Sequence, residues 1–154
     1  MLVTCPSTVL ATTLTHLREA GTRRRECIVL WLGRPAGDVI RVVEAYVPLH
    51  EAREDMFHIP REGMASLHAH LRKHRLMVAA QVHSHPREAF HSLADDRWAI
   101  IRHEGALSLV IPYFAASATP FNFGDEVKVY RFSDAAEWVE VPRLEVEAQC
   151  LQVS

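Results

Sequence analysis

Cysteine is scarce in this chain: Cys5, Cys27 and Cys150 are the three present among 154 residues. The number is odd, the spacings are wide and no Cys-x-x-Cys pair exists. Neither a disulfide framework nor a cysteine-based zinc or dithiol centre is therefore expected. Positive charge is not in excess either, since 17 Lys and Arg face 19 Asp and Glu for a net charge of −2. Nucleic acid and anionic membrane surfaces call for a basic excess, so neither is an expected partner. The short clusters Arg23-Arg24-Arg25 and Arg72-Lys73…Arg75 have no interleaved aromatics and read as solvated edges of structural elements. No apolar run reaches membrane-spanning length, and the first residues lack the basic-then-apolar pattern of a secretory leader. A reducing cytoplasm is the expected location. Internal repeats and low-complexity tracts are also missing, which excludes solenoid and linker architectures.

What remains is a chain with 49% hydrophobic and 23% charged residues, the balance of a folded domain. The expectation is one domain over residues 1–142 with a C-terminal tail over 143–154, whose pattern is open between a short helix and an extended arm. Leu10, Leu14 and Leu17 stand at helical spacing between Pro6 and Gly21, predicting a helix over about 6–20. "ECIVLWLG" (26–33) and "DVIRVVEAYV" (38–47) predict an antiparallel strand pair. A polar loop and a helix from Pro60 to about His74 follow. "LMVAAQVHSH" (76–85) predicts a strand stopped by Pro86, and Ser92 opens a short helix closing near Gly105. "ALSLVIPYF", "DEVKVYRF" and "EWVEVP" predict further strands. The fold class is α/β, a mixed sheet flanked by helices.

Histidine is the residue in surplus, with ten copies. His83 and His85 are separated by one residue at a strand end, so both imidazoles project to one face, as two ligands of one metal require. Pro86 then turns the chain outward and leaves that end accessible. Ser92-x-x-Asp95 reads first as a capping box, with Ser92 as N-cap and Asp95 in the first turn. An aspartate held there also suits metal ligation. Two imidazoles, one carboxylate and a water make the open four-coordinate zinc site that hydrolases use.

"HSHP…SLAD" resembles the metal-binding signature of the JAMM/MPN+ (JAB domain) zinc metalloproteases, His-x-His-Pro followed at short range by Ser-x-x-Asp. In that family an upstream glutamate is the general base, near the head of a core strand ending in glycine. "ECIVLWLG" matches, with Glu26 at its head and Gly33 at its foot. The resemblance extends over most of residues 6–140 and implies an MPN/JAB-like, cytidine-deaminase-like three-layer fold. It implies one zinc ion per chain held by His83, His85 and Asp95, with Glu26 passing the proton and Ser92 bonding the oxyanion. Five residues separate Pro86 from Ser92, one fewer than usual in the family, so Asp96 stands as the alternative to Asp95. The Ser-x-x-Asp spacing favours Asp95. Ile28 also occupies a position where many members have glycine. The implied activity is a metallopeptidase or isopeptidase cutting at the C-terminus of a ubiquitin-like modifier, with E1-like and E2-like enzymes as associated partners. Two alternatives stay open: hydrolysis of a small amide or amino-acid adduct on a sulfur-carrier protein, and a non-catalytic MPN scaffold.

Other His-x-His architectures fit less well. A metallo-β-lactamase-like site needs His-x-His-x-Asp-His, a cupin a later glutamate, and a histidine-triad transferase a histidine at position 87. His68 and His70 lie on a predicted helix, where i and i+2 face apart. His70 and His74 are four apart and could chelate, but surface histidines on a polar helix face are commoner. Glu44 is a rival base without the flanking pattern of Glu26. His91 reads as a loop residue near the site, and Trp31, Trp98 and Trp138 read as core or interface anchors.

Overall fold

The computed structural model describes residues 1–52, 57–90 and 99–154. The chain begins with β1 (Leu2–Cys5) and α1 (Ser7–Gly21), then the hairpin β2 (Ile28–Ala36) and β3 (Val39–Tyr46). A two-stranded ribbon follows, β4 (Glu51–Ala52) with β5 (Phe57–His58), and then α2 (Arg61–His74), β6 (Met77–Ser84) and β7 (Leu107–Ile111). The chain closes with α3 (Phe123–Glu126), β8 (Lys128–Phe132), β9 (Trp138–Glu140), α4 (Arg143–Gln149) and β10 (Leu151–Val153). Among the described residues the main sheet has the order β10-β1-β3-β2-β6-β7-β8-β9. β6 and β7 run parallel while β2 pairs antiparallel with both β3 and β6, so the sheet is mixed and the fold class is α/β as expected.

Each face of the sheet is buried under different side chains. Leu10, Leu14 and Leu17 of α1 are fully buried against Val29, Trp31, Val82 and Leu109. Each contributes about 1.5–3 kcal/mol of burial. Trp31 is itself fully enclosed, and its indole N–H donates to Thr13 Oγ1 at 2.9 Å. That bond satisfies the one polar atom of a large core ring. On the opposite face Ile28, Leu30 and Leu32 pack with Leu67 of α2 and with Ile101. The β2–β3 hairpin turns on Gly37, at φ 64, the first loop position where a II′ turn takes glycine. Gly33 sits at an irregularity of register, and a side chain there would meet the Arg41 carbonyl oxygen at 2.4 Å.

Several elements differ from expectation. β1 and β10 were not anticipated: they pair in parallel, Val3 with Leu151, and bury Cys5 and Cys150. Residues 143–154 thus hold both a helix and a strand, where the pattern left one or the other open. The polar loop after β3 contains the β4–β5 ribbon. The helix expected from Ser92 falls in its first part outside the described residues, and 99–105 is irregular, ending in a turn at Gly105 (φ 85). There the Ile100 N–H bonds the Gln81 side chain rather than a helical carbonyl, and Ile101 is drawn into the core.

Candidate metal centre

The register of β2 against β6 brings the predicted glutamate to the predicted histidines. Ile28 pairs with His83, and one step further the Ser84 N–H donates to the Cys27 carbonyl at 3.2 Å. The Cys27 N–H donates in return to Ser84 Oγ at 3.2 Å. Continuing the same antiparallel register sets Glu26 against His85. Directly paired residues share a face and alternate residues return to it, so Glu26, His83 and His85 all lie on the α2 face. All three are buried, with 1%, 0% and 3% exposure respectively. Ionisable side chains are seldom this enclosed, and three of them on one face at one end of the sheet point to a site rather than to packing.

The two imidazole rings have centres 5.2 Å apart and planes inclined by 46°. A tetrahedral ion with metal–nitrogen bonds of about 2.05 Å puts each ring centre roughly 3.2 Å from the metal, hence two ligand rings about 5.2 Å apart. The observed separation matches, and the donor chemistry fits a metal of borderline softness. Among the described residues no group of three His, Cys, Asp or Glu is assembled around one point. Ser92, Asp95 and Asp96, the predicted remainder of the centre, lie outside the described residues, as do His91 and Trp98.

The segment after His83 is anchored from β7 and the turn beyond it. The His85 N–H donates to the Ile111 carbonyl at 2.9 Å, and the His85 carbonyl accepts from the Phe114 N–H at 2.7 Å. Arg87 is held likewise through the Tyr113 N–H. Tyr113, Phe114 and Ala115 form a 3-10 turn in which all three have positive φ, at 54°, 53° and 58°. Left-handed geometry costs non-glycine residues roughly 1–2 kcal/mol each. That strain is located where the backbone grips the His-x-His-Pro segment. Phe90 meets the His85 ring edge-to-face at 4.7 Å.

The competing candidates are placed elsewhere. Glu44 pairs with Leu32, six residues along β2 from Glu26, a distance of roughly 20 Å. Its carboxylate bonds His70 Nε2 at 2.9 and 3.1 Å, and the His70 ring also lies 4.5 Å from His74 and 4.9 Å from Tyr46. Glu44 is therefore a hydrogen-bond partner of His70 on α2, not a base beside His83. Cys27, next to Glu26, turns to the α1 face, and burial pushes its thiol up to about 11. It is no nucleophile at neutral pH. Trp31 and Trp138 are packing residues, Trp138 against Phe132 with ring centres 5.1 Å apart.

Two buried residues that the sequence reading passed over also belong to this face. Gln81 and Ser108 are fully enclosed beside His83, with Gln81 Nε2 donating to Ser108 Oγ at 3.2 Å. The signal that could have found Gln81 was a carboxamide two positions before His83 in an otherwise apolar strand.

No protein-family model matches the chain. A curated relative, "Probable metalloprotease y4jG" of Sinorhizobium fredii, is 36% identical over 144 residues, spanning 91% of this chain and 87% of its own length. The solution structure of protein DSY2949 from Desulfitobacterium hafniense superposes with a TM-score of 0.71 at 19% identity, covering 99% of this chain and 93% of that one, a likeness of fold. With more than a third of its residues shared across nearly its whole length, the chain belongs to the metalloprotease family of its rhizobial relative.

Proposed function

We propose that this chain is a zinc-dependent JAMM-type peptidase or isopeptidase that cuts at the C-terminus of a ubiquitin-like modifier. The observation that carries the reading is the convergence of Glu26, His83 and His85, all buried, on one face at one end of the sheet, with the imidazoles spaced as two ligands of one ion. His83 and His85 would hold the zinc, with Asp95 supplying the carboxylate that a three-ligand open site needs. Bound there, zinc supplies Lewis acidity, polarising a scissile carbonyl and making water a nucleophile at neutral pH.

The chain's own groups do the rest. Glu26, as carboxylate, takes the proton from the attacking water and delivers it to the departing amine. Its burial keeps bulk water from competing for that proton. Ser92 donates a hydrogen bond to the oxygen that gains charge at the scissile carbonyl. The backbone bonds to Ile111 and Phe114 fix the His85 main chain on both sides, which holds the Cα from which its ring would reach the metal.

Metal analysis of the purified protein should find about one zinc per chain, lost in His83→Ala and in Asp95→Ala. A ubiquitin-like modifier carrying a C-terminal extension should be processed by the loaded wild type and not by Glu26→Gln. Zinc-dependent cleavage of short amide adducts alone would redirect the substrate to a sulfur-carrier protein. Zinc binding without any hydrolysis would leave a scaffold.

A further inference from the structure

We infer that Phe114, in the left-handed turn Tyr113–Ala115, is a positioning residue that sets the His85 main chain for metal binding, an inference that rests on the zinc reading above. β6 and β7 run parallel up to the pairing of Ser84 with Ile111, and the His85 N–H still donates to the Ile111 carbonyl at 2.9 Å. Were the ladder to run on, its next bond would lead from the Tyr113 N–H to the His85 carbonyl. It does not. The His85 carbonyl accepts from the Phe114 N–H at 2.7 Å instead, and the Tyr113 N–H is sent on to the Arg87 carbonyl at 2.9 Å. Successive N–H groups of a strand point to opposite edges, whereas those of a turn can face one way. The left-handed dihedrals of Tyr113 and Phe114 thus aim two neighbouring donors at carbonyls on either side of Pro86, which has no N–H of its own.

The turn is held from behind by α1. Gly21, the last residue of that helix, lies so close that a side chain there would meet Phe114 Cβ at 2.5 Å and the Phe114 carbonyl oxygen at 3.0 Å. Arg18, three residues earlier, donates from Nη1 to the Ala118 carbonyl at 2.7 Å. Ala115 is fully buried in the core that α1 covers, and its N–H closes the turn on the Pro112 carbonyl at 3.0 Å. Tyr113 is half exposed and Phe114 half buried, so burial of their rings does not account for three successive non-glycine residues at φ 54°, 53° and 58°. The hydrogen bonds to His85 and Arg87 do. Phe114 meets the helix on one side and bonds the ligand's main chain on the other, and it acts on the metal only through His85.

Two variants at one position separate backbone geometry from packing. Phe114→Asn and Phe114→Val both lose the ring, but asparagine enters the left-handed region readily while a β-branched residue there is an outlier. Valine is the more apolar, so a role in packing alone would favour it over asparagine. Two quantities are read in full-length protein: zinc affinity by chelator competition, and hydrogen exchange of the residue-114 amide in the metal-free state. Phe114→Val should weaken zinc roughly 10–100-fold, the usual effect of losing a group that orients a ligand, and should speed exchange at 114 while the β7 amides keep their wild-type rates. Phe114→Asn should stay close to wild type in both. Gly21→Ala should act like Phe114→Val, and adding Phe114→Gly, which removes the Cβ that the new methyl meets, should restore both quantities; this pair decides if Phe114→Val does not fold. Equal zinc affinity in the two Phe114 variants, or a tighter Val variant, overturns the inference. So does exchange at 114 that rises no more than exchange across β7. A wild type that binds no zinc would remove the zinc reading instead, and exchange at 114 would still decide whether the turn holds the His85 main chain.

Discussion

Chelation of the wild type beside the His83→Ala variant forms a thermodynamic cycle around the centre. His83 is fully buried on a central strand, flanked by Ile28 on β2 and Val110 on β7. Truncation to alanine leaves a cavity in a sealed position, and large-to-small changes of this kind cost about 2–4 kcal/mol. For a chain of this size each kcal/mol moves the melting temperature by roughly 2–4 °C. The metal-free variant should thus melt roughly 4–16 °C below the metal-free wild type. Zinc acts separately: an ion that binds only the native state, at a thousand times its dissociation constant, adds about 4.1 kcal/mol. The loaded wild type should therefore melt roughly 8–16 °C above its chelated form. The cavity term is the same with and without metal, so it cancels from the chelator-sensitive shift, which isolates ligation. Scanning calorimetry with and without chelator reads both quantities, and the variant should show almost no shift. A wild type indifferent to chelator under saturating zinc, or a variant retaining the full shift, would refute the assignment of His83.

Glu26→Gln should keep the zinc-dependent melting shift while kcat falls 10²- to 10⁴-fold, the usual contribution of a general base; activity within tenfold of wild type would remove Glu26 from that role. Alkylating agents should leave the peptidase active, because Cys27, at about 11, is roughly one part in 3,000 thiolate at pH 7.5. Rapid inactivation by iodoacetamide would contradict this. The same thiols set an alkaline limit. Burial raises Cys27 to about 11 and Cys5 to about 12 from an ordinary 9.0, so the native state holds these protons more tightly than the unfolded chain. Their stabilisation is complete below pH 9 and is lost as pH rises toward 11–12, so a melting temperature flat over that window would refute the burial argument. Thr13→Val should leave the Trp31 indole N–H without its acceptor at a cost of about 1–3 kcal/mol, seen as a lower melting temperature with kcat unchanged.

Periodicity exposes an element in the sequence when one element buries one face by itself. The leucine spacing of α1 and the apolar runs of β2, β6 and β7 have that property, and their positions agree with the structure to within about three residues. β1 and β10 do not: each is a short segment whose place in the sheet comes from distant partners, β1 lying between β3 and β10, and no local pattern reports a partner at the far end of the chain. Residues 99–105 read as helical because Ile100 and Ile101 supply apolar bulk next to a capping signal. Their backbone instead follows a side-chain acceptor on a neighbouring strand, and such competition is invisible in linear sequence.

The candidate site divides along the same line. His83 and His85 were legible because two ligands on one strand need only the alternation of side chains, a local property. Glu26 carries no local mark of function; a glutamate before an apolar strand is ordinary, and only the resemblance singled it out. The structure supplies the physical reason for its place. Antiparallel pairing runs β2 back along β6, so the head of one strand must meet the foot of the other, and the pairing of Ile28 with His83 leaves Glu26 beside His85. A slip of one residue would turn Glu26 to the opposite face, into the leucines of α1, where a carboxylate has no chemistry to perform. The register is held by the alternation of Val29 and Trp31 toward α1 with Ile28, Leu30 and Leu32 toward α2, so the packing of an apolar strand is what delivers the glutamate to the histidines.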